Sequence, residues 1–255
     1  MKFLITNDDG YDGPGLAALY NALTPLGSVR VVAPAVCHSA KGHAVNTHSP
    51  IRLERREVAP FGRVEIVESS PADCVRVGLR GPDAEIPDFV IAGINTGANL
   101  GVDLFYSGTA AAAREAAILG IPSLALSRYL RPECAVRWDV LTSHVTRVVR
   151  QLISDPYRLP AGMFWNVNFP AIDEDAHPEN ITFARQNLLS HDISFRRSVR
   201  MQSDTENVTF LEYAGSFQAR GQGPDCDVGR LFQKQITATP IDLCTTAIHP
   251  TVQKS

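Results

Sequence analysis

The chain has 255 residues, of which 44% are hydrophobic and 20% charged, and its formal net charge at pH 7 is −3. This composition is ordinary for a globular protein, and the charge excludes a strongly cationic chain that wraps nucleic acid or coats an anionic membrane. We therefore expect a small or local partner and no stable complex with nucleic acid.

The apolar segments are too short for export or membrane insertion. Residues 3–5 are fewer than a signal-peptide core contains, and no later run approaches the ~20 apolar residues that a membrane helix needs. The five cysteines are odd in number and include no Cys-x-x-Cys pair, which favours neither a disulfide framework nor a zinc site. We expect a soluble protein of the reducing cytoplasm.

Strand and helix patterns alternate along the chain. Residues 2–6 form an apolar run typical of a buried strand, residues 15–23 have the spacing of an amphipathic helix, and residues 29–34 predict a second strand. This order predicts two parallel strands joined by a helix.

The alternation continues beyond this first unit. Residues 88–93 predict a strand, residues 109–120 a helix, and residues 122–127 another strand. A longer helix over residues 136–153 and a strand over residues 163–170 follow. We predict an α/β protein with a mostly parallel sheet and helices on both faces.

The chain becomes polar and irregular between residues 171 and 223. Residues 207–214 are strand-like within it, and we interpret the region as a protruding β-hairpin arm. Residues 235–242 are again strand-like. We expect one domain over the whole chain, with its core at approximately 1–170 and 224–250.

Polar loops follow several of the predicted strands. The ligand site of an open parallel sheet lies beyond the carboxyl ends of its strands. Four segments have that position: NDDG at residues 7–10, the loop at 33–43, GINTGANLG at 93–101, and YSGT at 106–109. We expect them to meet at one edge of the sheet.

Asp8 and Asp9 are adjacent acids at the end of the first strand. Carboxylates suit Mg²⁺, Mn²⁺ or Ca²⁺, and amide or hydroxyl oxygens of other loops can complete such a ligand shell. An Asx-turn or a cap for the next helix explains the pair about equally well. An aspartyl-phosphate nucleophile is a third alternative, although its usual Asp-x-Asp spacing is absent. These residues alone leave the choice open.

Ser107, Gly108 and Thr109 open a predicted helix. Free N–H groups and the helix dipole favour a phosphate there, but Thr109 is also typical of an ordinary N-cap, and the segment alone favours the cap. Asn95 and Asn99 lie in the glycine-rich loop before it, where they are candidates for ligand contact or for turn conformations.

Three histidines, His38, His43 and His48, recur in one loop. Their spacing of five residues gives them no common face, so we expect solvated side chains rather than a metal site. His43 is kept as a candidate for proton transfer. The basic segment 194–200 is likewise expected to be an exposed face.

Together these motifs resemble the SurE family of metal-dependent survival-protein nucleotidases. The resemblance covers nearly the whole chain, and the segments that carry it are NDDGYDGPGL, GINTGANLG joined to YSGTAAAARE, WNVNFP and PDCDVGRLFQKQITATPID. It implies a Rossmann-like three-layer α/β/α core and hydrolysis of nucleoside 5′- or 3′-monophosphates. It also implies a homodimer or homotetramer built partly from the arm and the C-terminal segment.

The resemblance implies a ligand set as well. One divalent cation, Mg²⁺, Mn²⁺ or Ca²⁺, is held by Asp8, Asp9, Ser39 and Asn95, and Asp8, Asp9 and Asn95 are the catalytic residues.

Our leading hypothesis is metal-assisted phosphoester hydrolysis. The cation polarises a phosphoryl oxygen and lowers the pKa of a bound water, which Asp8 or Asp9 orients. The alternative is a nucleotide-binding regulator without turnover. An NAD(P)-dependent oxidoreductase is disfavoured because no Gly-x-Gly-x-x-Gly follows the first strand. Besides Asn95, the hypothesis assigns phosphate binding to Asn99, Ser107, Gly108 and Thr109.

Overall fold

A computed structural model describes residues 1–131, 135–171, 180–198, 208–223 and 225–243. The strands in these ranges are β1 (Lys2–Thr6), β2 (Ser28–Pro34), β3 (Leu53–Val58), β4 (Gly62–Val67), β5 (Phe89–Thr96), β6 (Ser123–Arg128), β7 (Met163–Phe169), β8 (Ile181–Phe183), β9 (Phe195–Arg197), β10 (Leu211–Tyr213) and β11 (Ile236–Asp242). The helices are α1 (Pro14–Leu23), α2 (Pro71–Arg80), α3 (Gly108–Ile118), α4 (Trp138–Leu152) and α5 (Asp227–Phe232), with a 3-10 turn at Gly101–Phe105.

One mixed sheet carries the site. Its strand order is β3-β4-β2-β1-β5-β6-β7-β11-β8, and the central strands from β4 to β7 are parallel to one another. β3 pairs antiparallel with β4, and β11 pairs antiparallel with β7. The predicted mostly parallel α/β fold is therefore confirmed.

The central strands are apolar on both faces because helices cover both. In β1, Phe3 and Ile5 pack in the cluster that contains α1 and α4, whereas Leu4 packs on the opposite side with α2 and α3. All three side chains are buried. This alternation produces three layers, helix on sheet on helix, and exposes the carboxyl ends of the strands at one edge.

Some elements differ from the sequence-based boundaries. β5 continues three residues past its predicted end at Gly93. Its pairing with β6 is irregular after Ala92 and resumes at Asn95, so the strand extends to Thr96. α2 was not predicted, although Ser70 gives a start signal: its side chain accepts a hydrogen bond from the Asp73 N–H. The β3–β4 hairpin and α5 were also missed.

The described residues between 171 and 223 contribute strands to two different sheets. β8 joins the main sheet beside β11, whereas β9 and β10 form a separate two-stranded antiparallel ladder. Of the strand predicted over 207–214, residues 211–213 are strand and residue 207 lies outside the described ranges. No helix in those ranges is both long and apolar enough to cross a membrane.

Gly15 lets α1 approach β5 closely. A Cβ atom on Gly15 would lie 2.0 Å from the Ile94 carbonyl oxygen. We expect Gly15→Ala to lower the free energy of unfolding by about 1–3 kcal/mol, measured by urea denaturation, because the helix must shift. Gly229→Ala in α5 is the control, since its closest neighbouring atom is 3.6 Å away. Equal losses in the two variants would contradict this account.

Candidate active site at the carboxyl edge of the sheet

Asp8 lies directly beyond β1 and is only 3% exposed. Its Oδ1 accepts a hydrogen bond of 2.5 Å from Thr109 Oγ1, in the first turn of α3. Gly108 permits this approach, because a Cβ atom there would lie 2.8 Å from Asp8 Cβ. The start of α3 is therefore packed directly against the acid that ends β1.

Burial raises the pKa of Asp8 from its usual 3.8 to about 6. The hydrogen bond from Thr109 opposes this shift by favouring the charged form, whereas the negative charge of Asp9 adds to it. Within the described residues neither Asp8 nor Asp9 forms an ion pair with a basic side chain. Two adjacent carboxylates without a cationic partner favour a bound cation.

β5 brings Asn95 to the same place. The Thr96 N–H donates to Asp9 Oδ2 at 3.3 Å, which joins the end of β5 to the acid pair. Asn95 Nδ2 donates to the Gly97 carbonyl at 2.7 Å. This bond orients the amide, and metal binding by Asn95 Oδ1 stays a prediction.

Ser39 lies in the loop after β2, which also reaches Asp8. The His38 N–H donates to the Asp8 carbonyl oxygen at 2.7 Å. The Ser39 side chain is exposed, and its Oγ lies 3.0 Å from Cys37 Sγ. The loop is thus positioned as predicted, while the Ser39 hydroxyl pairs with Cys37.

His43 attaches this loop to α3. Its Nε2 lies 2.8 Å from Glu115 Oε2, and Arg76 Nε of α2 lies 3.6 Å from Glu115 Oε1. The prediction of a solvated side chain is therefore wrong for His43, whereas His48 is exposed. The role of Glu115 was missed because no local pattern in the alanine-rich helix indicates a partner 72 residues away.

Asn99 is held by the neighbouring strands. Its N–H donates to Asn168 Oδ1, and its carbonyl accepts from both Asn166 Nδ2 and Asn168 Nδ2, each at 2.9 Å. Its own Nδ2 donates to Ser127 Oγ at 2.8 Å. These bonds fix the loop, and phosphate binding by Asn99 stays a prediction. The alternating asparagines of β7 were the sequence signal for this network.

Ser107 is the N-cap of α3. Its Oγ accepts a hydrogen bond of 3.0 Å from the Ala110 N–H. The alternative that Thr109 caps the helix is therefore wrong, because its hydroxyl donates to Asp8 instead. Phosphate binding by Ser107, Gly108 and Thr109 stays a prediction.

The donor set fits a hard divalent cation. Across the described ranges no three His, Cys, Asp or Glu side chains cluster around a possible metal position. A cation at this edge would have two carboxylates available, those of Asp8 and Asp9, and would need further oxygens from amide, hydroxyl or water. Such oxygen-rich sites with few carboxylates suit Mg²⁺ in particular, and Mn²⁺ or Ca²⁺ also accept oxygen ligands.

The fold and this edge define an α/β protein whose ligand site lies beyond the carboxyl ends of parallel strands. The model of the family described as "Survival protein SurE" matches residues 3–192. The chain belongs to the SurE family.

Individual relatives match this chain over nearly the full length of both proteins. The chain is 37% identical to the 5′-nucleotidase SurE of Moorella thermoacetica over 95% of this chain and 90% of that protein. It is 37% identical to 5′-nucleotidase SurE 1 of Thermus thermophilus over 97% and 94% of the two chains. The crystal structure of the SurE protein from Aquifex aeolicus superposes with a TM-score of 0.80 at 31% identity, covering 96% of this chain and 95% of that one.

Thr109→Val removes the hydroxyl that donates to Asp8 while keeping the side-chain shape. Because the folded-state pKa of Asp8 is raised from 3.8 to about 6, stability falls as pH rises between these two values and Asp8 becomes charged, and the Thr109 hydroxyl offsets part of that loss. We expect the variant to lose about 1.5–3 kcal/mol of unfolding free energy when Asp8 is charged, and less when it is protonated.

Urea denaturation of the metal-free protein, at about two pH units above and about one below this pKa, measures both values. Thr109→Ser retains the hydroxyl and is the control. A loss that does not change with pH, or an equal loss in Thr109→Ser, would show that the bond to Asp8 is not the cause.

His43→Ala removes the contact between the Ser39 loop and Glu115. We expect faster amide hydrogen exchange in residues 38–47, measured by mass spectrometry, because the loop loses its side-chain contact with α3. His48→Ala changes an exposed histidine in the same loop and should leave exchange unaltered. Unaltered exchange in His43→Ala would mean that other contacts hold the loop.

Proposed function

We propose that this protein is a divalent-metal-dependent phosphomonoesterase that hydrolyses nucleoside monophosphates, namely a 5′-nucleotidase. We further expect 3′-nucleotidase or exopolyphosphatase activity. One observation carries the proposal: the buried Asp8 carboxylate lies beside Asp9 and against the start of α3 without a basic partner in the described residues. The names of the Moorella and Thermus relatives support the substrate class.

Asp8, Asp9 and Asn95 would hold the cation, and Ser39 joins them when its hydroxyl turns from Cys37. When bound, Mg²⁺, Mn²⁺ or Ca²⁺ polarises a phosphoryl oxygen and lowers the pKa of water. The Thr109 hydroxyl keeps Asp8 oriented and favours its charged form. Asp9 is only partly buried and therefore has room to orient the attacking water.

The phosphate would lie over the first turn of α3. Ser107 Oγ accepts from the Ala110 N–H as the cap, so the N–H groups of Gly108 and Thr109 in the first turn are the candidate phosphate donors, although the Thr109 N–H also favours the charged form of Asp8. The Asn99 loop approaches from β5, held rigid by β7. Fixed donors of this kind stabilise the charge that develops on the phosphoryl oxygens.

Assembly and location are further parts of the proposal. A homodimer or homotetramer agrees with the exposed apolar side chains of Phe195, Leu211 and Tyr213 on the β9–β10 ladder. A cytoplasmic location agrees with the free thiols of Cys37 and Cys226.

Asp8→Asn and Asn95→Ala each test the ligand set. We expect both to lower phosphate release from AMP and GMP by at least about 100-fold with added Mg²⁺, Mn²⁺ or Ca²⁺, because the cation supplies several kcal/mol of transition-state stabilisation. A chelator should abolish the wild-type activity, and added metal should restore it. Asp12→Asn removes an exposed acid of the same turn and is the matched control.

Full activity in Asp8→Asn and Asn95→Ala would contradict the mechanism. Calorimetry with AMP on the same proteins separates the enzyme from a nucleotide-binding regulator, since the regulator binds AMP without releasing phosphate.

A further inference from the structure

An ion pair that the proposed mechanism does not use lies beside the first turn of α3. Asp103 belongs to the 3-10 turn before this helix, and Arg220 follows β10, 117 residues later in the chain. Arg220 Nη1 donates to Asp103 Oδ2 at 2.6 Å, and Nη2 donates to Oδ1 at 3.3 Å. Only 5% of the Arg220 side chain and 16% of the Asp103 side chain are exposed. The pair is therefore a bidentate contact that is largely shielded from water.

Asp103 fixes the point at which α3 begins. Its backbone carbonyl accepts hydrogen bonds from the N–H groups of Tyr106 and Ser107, each at 2.9 Å. Its carboxylate also accepts a hydrogen bond from the Leu100 N–H at 3.0 Å. Ser107 is the N-cap of α3, and the next two residues carry the candidate phosphate donors. The position of Asp103 therefore sets where these donors lie.

Arg220 is itself held by several contacts. Its Nε donates to the Phe217 carbonyl at 3.0 Å, and its guanidinium carbon lies 3.7 Å from the centre of the Phe217 ring. Its Nη1 also donates to the Leu100 carbonyl at 3.4 Å. His191 Nε2 lies 2.8 Å from Asp103 Oδ1. The planar guanidinium therefore has a fixed orientation, and it holds the 3-10 turn at two residues.

The charge of Asp103 matters for an anionic ligand. Asp103 contacts Ser107 through its backbone, so its carboxylate lies near the place proposed for the phosphate. A negative charge without a partner there would repel a phosphate group. The guanidinium of Arg220 neutralises this charge. Removing the guanidinium would leave a shielded carboxylate uncompensated, which is strongly unfavourable.

We propose that Arg220 is a positioning residue for phosphate binding and that it acts through Asp103. It holds the 3-10 turn and neutralises the Asp103 carboxylate, and so keeps the N–H groups of Gly108 and Thr109 in place without contacting the phosphate. The inference rests on the function proposed above and adds a residue that is distant in sequence from the acid pair.

Arg220→Met tests this role, because it removes the charge and keeps an apolar side chain over the Phe217 ring. We expect faster amide hydrogen exchange in residues 100–107, measured by mass spectrometry, since the turn loses a side-chain contact. We also expect kcat/KM for AMP to fall and the inhibition constant of inorganic phosphate to rise. Each change should be about 10- to 100-fold, the effect of misplacing a binding group by about 1 Å.

The concentration of Mn²⁺ that gives half-maximal activity separates a positioning role from general damage to the fold. It should stay unchanged, because the described side-chain contacts of Asp8 and Asp9 are with the start of α3 and the end of β5. Arg230→Met is the matched control, since it removes an arginine that pairs with the exposed carboxylate of Asp225. It should leave every one of these measurements unaltered.

Unaltered exchange in residues 100–107, or unaltered kinetic constants in a folded Arg220→Met protein, would overturn the proposal. A change in the Mn²⁺ requirement as large as the change in phosphate inhibition would overturn it as well. If Arg220→Met does not fold, Arg220→Lys decides, because it keeps the charge and loses the bidentate contact. It should lower kcat/KM by a smaller factor, and an unaltered value would overturn the proposal.

A double variant tests the action through Asp103. In Asp103→Asn/Arg220→Met, kcat/KM should fall no further than in the more impaired single variant, because both changes break the same contact. Losses that multiply would show that the two residues act independently and would overturn this part of the proposal.

Failure of this proposal is distinguishable from failure of the enzyme function. A wild-type protein that releases no phosphate from AMP contradicts the enzyme function alone. The calorimetric affinity for inorganic phosphate then replaces the kinetic constants, and equal affinities of the wild type and Arg220→Met would overturn the positioning role.

Discussion

The contact between Asp8 and the first turn of α3 is the constraint on which the site depends. A carboxylate buried to this extent, next to a second acid, is unfavourable in its charged form. The hydroxyl of Thr109 and the positive end of α3 offset part of that cost. Gly108 makes the close approach sterically possible. The fold thus holds a buried acid whose charged form a nearby cation would stabilise.

The same helix positions the other loops of the site. Six residues after Thr109, or nearly two turns, α3 presents Glu115 to His43 and so holds the Ser39 loop. On the other side, the bonds of Asn99 to β6 and β7 fix the loop that follows Asn95 at the end of β5. The site is therefore a set of loops anchored to rigid elements, which is the arrangement that catalytic geometry requires.

Much of the architecture was predictable because it depends on local pattern. Continuous apolar runs such as residues 2–6 become strands buried on both faces, and the order of strands and helices then implies the parallel sheet. The edge position of Asp8, Asp9 and Asn95 follows from that topology. The prediction that they are metal ligands came from family resemblance, since adjacent acids alone suited a turn equally well.

What was missed depends on contacts between distant segments. The extension of β5 to Thr96 results from pairing with β6. Gly93 is typical of a strand end, so the sequence alone does not indicate that the strand continues. The His43–Glu115 contact and the choice of Ser107 over Thr109 as N-cap both depend on how α3 packs against β1 and the loop after β2. No periodicity within either partner encodes such contacts.

The central claim is that the acid edge binds a divalent cation through Asp8, Asp9 and Asn95. Diffraction from crystals soaked in Mn²⁺, with data collected at the manganese absorption edge, tests it most directly. We predict an anomalous peak within about 2.5 Å of oxygens from all three side chains, a distance typical of divalent cations bound by oxygen. A peak elsewhere, or no peak at this edge in crystals that contain Mn²⁺, would contradict the account.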